Sequence, residues 1–144
     1  MARINKKTNV KFSANQMYSL VNDIETYPDF LPWCTDANII SSNEATLTAS
    51  ISISVGRIKK IFTTLNTMRK GISINMTLIK GPFKELNGQW IFQDNSEGGS
   101  TVSLEMQFEF KNKLLKYTFG RAFKKVIDSL VDAFIERANV IYDE

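Results

Sequence analysis

The sequence predicts an α+β fold in which a curved antiparallel sheet of about six or seven strands surrounds one long C-terminal helix. Between residues 36 and 110, apolar residues recur at every second position in several consecutive segments, as they do in strands with one buried face. After Asn112 the apolar spacing changes to three and four residues, which indicates an amphipathic helix. The 144 residues, 43% of them hydrophobic and 23% charged, have the size and composition of a single domain, residues 1–144, with a sizeable core.

Two short helices are expected after the first strand, which ends at residues 10–12. Residues 13–16 (Ser-Ala-Asn-Gln) match a capping box, so a helix should run from Ala14 to about Asn22. Thr26, followed three positions later by an aspartate, is a second and weaker N-cap pattern that predicts one further helical turn.

Residues 27–34 (YPDFLPWC) contain two prolines, which exclude a long helix or a central strand. Pro28 fits near the start of the one-turn helix, and Pro32 ends it. The large apolar side chains of this segment must therefore be buried through tertiary contacts, and the turn presents Phe30, Leu31 and Trp33.

Four segments alternate apolar and polar residues, and each predicts a strand with one buried face. The apolar sets are Leu47, Ala49, Ile51, Ile53 and Val55; Ile72, Ile74, Met76 and Leu78; Leu86, Trp90 and Phe92; and Val102, Leu104, Met106, Phe108 and Phe110. Residues 57–68 are also strand-like, but the pattern does not decide whether Ile61 or Phe62 points inward. The turns contain glycine and are short, so consecutive strands should be antiparallel neighbours.

The helix after Asn112, its expected cap, should run from Lys113 to Tyr142 and be about 45 Å long. Gly120 is a point at which it could kink. Its apolar stripe consists of Phe119, Phe123, Val126, Ile127, Leu130, Phe134, Ala138 and Ile141. A long helix laid across a curved sheet is the helix-grip arrangement.

Several classes of function are excluded or disfavoured by residues that the chain lacks. It has no histidine, so Ser-His-Asp or Cys-His catalysis and metal sites that need imidazole are impossible. No glycine-rich phosphate loop is present. Glu105 and Glu109 share the polar face of one strand and should face solvent, and Cys34, the single cysteine, is expected to be a small buried hydrophobe. We therefore expect no catalytic residues, no metal ligands and no enzymatic activity.

The N-terminal residues lack the apolar run of a signal peptide, and no apolar stretch is long enough to cross a bilayer. A cytoplasmic protein is the expectation.

The motifs of this chain resemble those of the coenzyme Q-binding proteins of the START-like superfamily, which also includes polyketide cyclases/dehydrases and lipid transport proteins. Bacterial members include the ribosome-association toxin A group. The resemblance spans nearly the whole chain and is carried by Tyr27-Pro28-Asp29-Phe30-Leu31-Pro32-Trp33-Cys34, Phe62-Thr63-Thr64, Gly81-Pro82-Phe83-Lys84 with Leu86, Gly88, Trp90 and Phe92, Phe108-Glu109-Phe110, and Phe134 with Arg137-Ala138.

The resemblance implies an incomplete barrel that grips the C-terminal helix around an apolar cavity, in which relatives hold a respiratory quinone or another lipid. No cofactor is required, and ubiquinone or another lipid would be the bound ligand. The residues alone leave a filled core as the alternative, because native interiors normally pack without large voids.

The candidate ligand-binding residues come from the short helix, the sheet and the long helix, and each could instead be ordinary core. They are Phe30, Leu31, Trp33, Ile51, Ile53, Met76, Trp90, Phe92, Met106, Phe108, Phe123, Val126, Ile127 and Leu130. Thr64, Asn66 or a tyrosine hydroxyl could bind a polar head group.

Six basic residues, here called the basic cluster, surround the start of the long helix: Lys111, Lys113, Lys116, Arg121, Lys124 and Lys125. Cations near a helix N-terminus oppose the helix dipole, so this placement is locally unfavourable. A solvated helix face, an anionic membrane surface and ribosomal RNA phosphates are the three interpretations. Apolar residues within the cluster, Leu114, Leu115, Tyr117 and Phe119, favour a membrane-contacting portal.

Two functions are therefore expected as alternatives. The first is a non-enzymatic carrier of a quinone or lipid that supports respiratory electron transport, in the bacterial cytoplasm and with peripheral contact to the inner membrane. The second is a toxin-like protein that binds the large ribosomal subunit and inhibits subunit association. An enzyme such as a cyclase or hydratase that works in the pocket is a third and more distant option.

Overall fold

The computed structural model describes residues 1–142. The elements in chain order are β1 (Ala2–Val10), α1 (Ala14–Asn22), a 3₁₀ turn (Ile24–Thr26), α2 (Tyr27–Phe30), β2 (Cys34–Ser42), β3 (Thr46–Val55), β4 (Ile58–Arg69), β5 (Ser73–Lys80), β6 (Phe83–Asp94), β7 (Ser100–Phe110) and α3 (Lys113–Tyr142).

The seven strands form one curved antiparallel sheet in the order β1-β7-β6-β5-β4-β3-β2. Strands β2 to β7 follow one another as a meander, and β1 pairs with β7. The core lies between the inner face of this sheet and α3. The ring of Phe123 on α3 is 4.9 Å from the rings of both Phe83 and Phe108 on the sheet, measured between centroids. The predicted α+β helix-grip fold is confirmed.

The first short helix has the predicted cap, and the second does not. Ser13 Oγ accepts a hydrogen bond from the Gln16 backbone N–H at 3.1 Å, and the Ser13 N–H donates to Gln16 Oε1 at 2.9 Å, which confirms the capping box. Helix α2 forms as one turn with Pro28 at its start, but the Thr26 hydroxyl donates backwards to the carbonyl of Asp23 at 2.7 Å. The Thr26 side chain does not cap α2, because its backbone is already helical and continues the 3₁₀ turn.

The predicted strand faces are confirmed, with one correction. On β4 the side chain of Phe62 is half-buried and Ile61 is exposed, so Phe62 points inward. Ile72 was predicted to share the buried face of β5, and this is wrong, because it precedes the strand in a turn and is exposed. Its backbone N–H donates to the carbonyl of Arg69 at 2.8 Å, and the turn directs its side chain to solvent.

Helix α3 has the predicted bounds and continues through Gly120. Asn112 caps it, because Asn112 Oδ1 accepts a hydrogen bond from the Leu115 N–H at 2.8 Å. The prediction that Ile141 ends the buried stripe is wrong, since this side chain is exposed. Adjacent residues of a helix point about 100° apart, so Tyr142 and Ile141 cannot both face the core. Tyr142 takes the inner position, and its hydroxyl donates to the carbonyl of Gln16 at 3.0 Å.

Candidate functional site: an internal cavity and a basic groove

An internal cavity of about 70 Å³ lies between the sheet and α3. Ligand pockets usually have volumes of about 300–1,000 Å³, so the side chains of the protein fill most of the space under the helix. Fifteen of the seventeen lining residues are apolar or aromatic; the full set is Ile24, Tyr27, Trp33, Ile51, Ile53, Phe62, Thr64, Asn66, Met76, Leu86, Trp90, Met106, Phe123, Val126, Ile127, Leu130 and Phe134.

Ten of the fourteen candidate ligand-binding residues line this cavity: Trp33, Ile51, Ile53, Met76, Trp90, Met106, Phe123, Val126, Ile127 and Leu130. The remaining four lie elsewhere. Leu31 is fully buried in the core, and the ring of Phe30 packs against that of Phe134, with centroids 5.4 Å apart. The guanidinium of Arg137 lies 5.1 Å from the centroid of the Phe30 ring.

The other two residues outside the cavity, Phe92 and Phe108, lie on β6 and β7, strands that also carry residues of the cavity lining. Phe92 stacks on Trp90 at 6.1 Å between ring centroids and meets Tyr18 edge-on at 5.8 Å. Phe108 packs between Phe83 and Phe123. Both residues point to the inner face as predicted, but the alternating pattern does not show which part of a strand lies beside the cavity.

Five lining residues were not among the predicted ligand-binding residues: Ile24, Tyr27, Phe62, Leu86 and Phe134. Four of them belong to the motifs quoted for the family resemblance, and Phe134 is also in the α3 stripe. The motifs and the apolar stripe identified these four as motif or core residues. These patterns could not identify their contact with the cavity, because this depends on how α3 crosses the sheet.

The two polar residues of the cavity form a buried pair. The hydroxyl of Thr64 donates to Asn66 Oδ1 at 2.8 Å, and these residues are 4% and 5% exposed. Tyr27 also lines the cavity, but its hydroxyl donates to the carbonyl of Val21 on α1. Burial raises the pKa of the Tyr27 phenol far above its ordinary value, so the group stays neutral. Thr64 and Asn66 are therefore polar groups that a bound ligand could contact.

Among residues 1–142, the lining of the cavity contains no carboxylate, lysine, arginine or cysteine, and Tyr27 is its one titratable side chain. Cys34 is buried outside it, and burial raises the pKa of its thiol to about 11. The thiol remains protonated near neutral pH and is a poor nucleophile. Within residues 1–142, no group of three or more Cys, Asp or Glu side chains is arranged to hold a metal ion.

A second concave surface, here called the basic groove, is an open depression of about 850 Å³ between the β3–β4 turn and the first half of α3. Its lining consists of Val55, Ile58, Lys113, Lys116, Tyr117, Thr118, Arg121, Ala122 and Lys125. It contains four residues of the basic cluster and, of the residues that the structure describes, no acidic one. In the part of the chain that the structure describes, none of the six cluster residues forms an ion pair.

The other two residues of the basic cluster lie beside this groove. Lys111 lines a neighbouring depression of about 500 Å³ that also contains Lys113 and Lys116, and Lys124 lies in neither depression. Two large apolar side chains project from the same surface: Leu114 is 70% exposed and Tyr117 is 87% exposed. Leu115 is half-buried and Phe119 is fully buried.

The described residues include no helix that combines the length and the apolar composition needed to span a bilayer.

Residues 10–135 match the family described as polyketide cyclase/dehydrase and lipid transport. The chain is 40% identical to the ribosome association toxin RatA of Vibrio cholerae serotype O1 over 144 residues, which are 100% of both proteins. It is 42% identical to RatA of Escherichia coli strain K12, over 99% of this chain and 90% of that protein. Identity to the mitochondrial coenzyme Q-binding protein COQ10 of Dictyostelium discoideum is 23%, over 92% of this chain and 67% of that protein.

Solved structures share the fold at low sequence identity. A START superfamily protein from Mycobacterium smegmatis has a TM-score of 0.81 at 16% identity and covers 96% of this chain and 98% of its own. The Zhui aromatase/cyclase from Streptomyces sp. R1128 has a TM-score of 0.85 at 11% identity and covers 98% of this chain and 96% of its own. At these identities the likeness concerns the fold alone, and it confirms the START-like architecture.

Proposed function

The chain belongs to the polyketide cyclase/dehydrase and lipid transport family, and we propose that it binds a respiratory quinone or a similar lipid in its internal cavity. The protein would shield the apolar part of the ligand from water and act as a non-enzymatic carrier that supports respiratory electron transport. It would work in the bacterial cytoplasm and contact the inner membrane peripherally.

The observation that carries this proposal is the Thr64–Asn66 pair beside unfilled space in an apolar interior. Ligand sites are typically apolar with a few placed polar groups that orient the ligand. An asparagine amide also offers two N–H donors, which suit a carbonyl oxygen. The name of the relative COQ10 adds support, since it describes a coenzyme Q-binding protein.

The proposal assigns no reaction to the cavity. Acid–base chemistry needs a titratable group within hydrogen-bond reach of the substrate. Among residues 1–142, the lining offers one titratable side chain, Tyr27, and its hydroxyl already donates to the Val21 carbonyl. The aromatase/cyclase among the solved structures resembles this chain at 11% identity and so adds no argument for catalysis.

The test uses Trp33 and Trp90, the two tryptophans of the chain, because both line the cavity. Titration with ubiquinone-1 should quench their fluorescence to saturation, and free N-acetyl-tryptophanamide is the control for absorption by the quinone. Protein purified from its native host should carry lipid that mass spectrometry detects. Unsaturable quenching, together with a lipid-free native protein, would reject this function.

A second candidate is association with the large ribosomal subunit, which would hinder subunit joining. It is supported by the names of the relatives at 40% and 42% identity and by the four cations of the basic groove, which suit RNA phosphates. Added protein should shift ribosomes toward free subunits in a sucrose gradient, and more so at low salt. An unchanged gradient profile would remove this candidate.

A further inference from the structure

Four residues form one row across the middle of the sheet on its inner face. Asn66 on β4 pairs with Met76 on β5, Met76 pairs with Gly88 on β6, and Gly88 pairs with Met106 on β7. Adjacent strands are about 4.8 Å apart, so Gly88 lies roughly 10 Å from Asn66, with Met76 between them. Asn66, Met76 and Met106 line the cavity, and Gly88 is the position in the row without a side chain.

Backbone geometry does not explain a glycine at position 88. The glycines with positive φ are Gly56, Gly71, Gly81 and Gly98, and Gly88 is not among them. The pairing of β6 with both neighbours is regular at this residue, so there is no bulge. Glycine inside a strand costs stability, and one recognised reason for it is the close approach of a ligand.

The space above Gly88 is filled by the tips of two methionines. A β-carbon added to Gly88 would lie 2.6 Å from Met76 Cε and 3.4 Å from Met106 Cε. Methionine has three rotatable side-chain bonds and no branches, so its terminal methyl group can move to another position without movement of the backbone. The small volume of the cavity therefore depends on two side chains that can move.

We propose that the space above Gly88 is a subsite for a flat ring that carries a carbonyl group, and that the tips of Met76 and Met106 occupy it when no ligand is bound. The ring lies against the Gly88 backbone once the methyl groups move aside. Its carbonyl oxygen accepts a hydrogen bond from the amide of Asn66, two strands away. This inference rests on the proposed function and specifies where the head group of the ligand binds.

The decisive variant is Gly88→Ala, because the added methyl group competes with the ring for the same space. Its contact in the unliganded protein is with the flexible end of Met76, so the variant should fold. Binding is measured by calorimetry with decylubiquinone, which has a ring and a chain, and with dodecanol, which has a chain only. We expect decylubiquinone affinity to fall roughly tenfold or more, the scale of one surplus methyl group in a tight site, while dodecanol affinity stays unchanged.

The control for this variant is Gly120→Ala on α3, where an added β-carbon would lie 3.6 Å from the ring of Phe110, an ordinary contact. It should bind both ligands as the original protein does. If Gly88→Ala binds decylubiquinone with wild-type affinity, or loses affinity equally for both ligands, the proposed subsite is wrong and the proposed function still stands. Failure of the unmodified protein to bind either ligand would instead reject the proposed function.

A second variant works in the opposite direction and does not depend on the folding of the first. Met76→Ala removes one of the two side chains that occupy the subsite. The affinity for decylubiquinone should therefore rise, and the affinity for dodecanol should rise less. Met68→Ala is its control, because Met68 is also half-buried, on β4, but does not line the cavity. Equal affinity of Met76→Ala and Met68→Ala for decylubiquinone would contradict the subsite.

Discussion

Thr64 and Asn66 share a hydrogen bond of 2.8 Å inside a cavity whose remaining wall is apolar or aromatic. The two residues are neighbours on the inner face of β4 because side chains two positions apart in a strand point to the same side. A buried polar group without a partner destabilises a protein, so each residue stabilises the other when the cavity is empty.

This pair predicts a difference between single and double substitutions. Asn66→Leu leaves the Thr64 hydroxyl without its acceptor and should lower the free energy of unfolding by about 1–3 kcal/mol. Adding Thr64→Val removes the stranded hydroxyl and should recover most of this loss. Urea denaturation of the two variants measures the difference, and equal stabilities would contradict the assigned hydrogen bond. Both variants should bind ubiquinone-1 more weakly.

Phe123 should be among the most important residues for stability. It is 1% exposed and its ring lies 4.9 Å from the rings of both Phe83 and Phe108. Phe123→Ala should lower the free energy of unfolding by about 3–5 kcal/mol, because it removes buried surface and leaves a hole between α3 and the sheet. Tyr117→Ala, on the same helix but 87% exposed, is the control and should change stability by less than about 0.5 kcal/mol.

Charge reversal in the basic groove tests the second candidate function. Lys116→Glu with Arg121→Glu should abolish any effect of the protein on ribosome profiles, because phosphate contacts become repulsive. The control is Lys59→Glu with Lys80→Glu, which makes the same change in net charge at exposed positions of β4 and β5. An equal loss in both variants would mean that net charge, and not the groove, governs the interaction.

Cys34 predicts a loss of stability at alkaline pH. Burial raises the pKa of its thiol from an ordinary value of 9.0 to about 11 in the folded protein. Between these two pH values the unfolded chain loses the proton and the folded protein keeps it, so stability should fall as the pH rises from about 9 to about 11. Tyr27 acts in the same direction, starting from a higher ordinary pKa.

The measurement is the urea midpoint at two pH values, about 8 and about 10.5, in the original protein and in Cys34→Ala. The variant retains the Tyr27 contribution and should show the smaller decrease. A decrease of the same size in both proteins would show that Cys34 does not contribute.

Much of the fold could be predicted because it follows from local patterns. The bounds of α3 at Lys113 and Tyr142 follow from helical spacing and from Asn112, whose side chain caps the first turn. The inward faces of β3 and β7 follow from strict alternation, since the side-chain period of a strand is two. The basic cluster was also predictable, because charge along one helix can be read without knowledge of the packing.

The site was predictable only in part, because its position depends on contacts between residues far apart in the chain. Phe108 shares the inner face of β7 with Met106, yet only Met106 reaches the cavity, because the crossing of α3 over the sheet selects one section of each strand. The sequence thus determined the helix, the strands and their apolar faces, whose periods arise from the backbone. The packing of α3 decided the volume of the cavity and brought Asn66, Met76 and Gly88 into one row, because strand register and side-chain packing are set only when the whole chain folds.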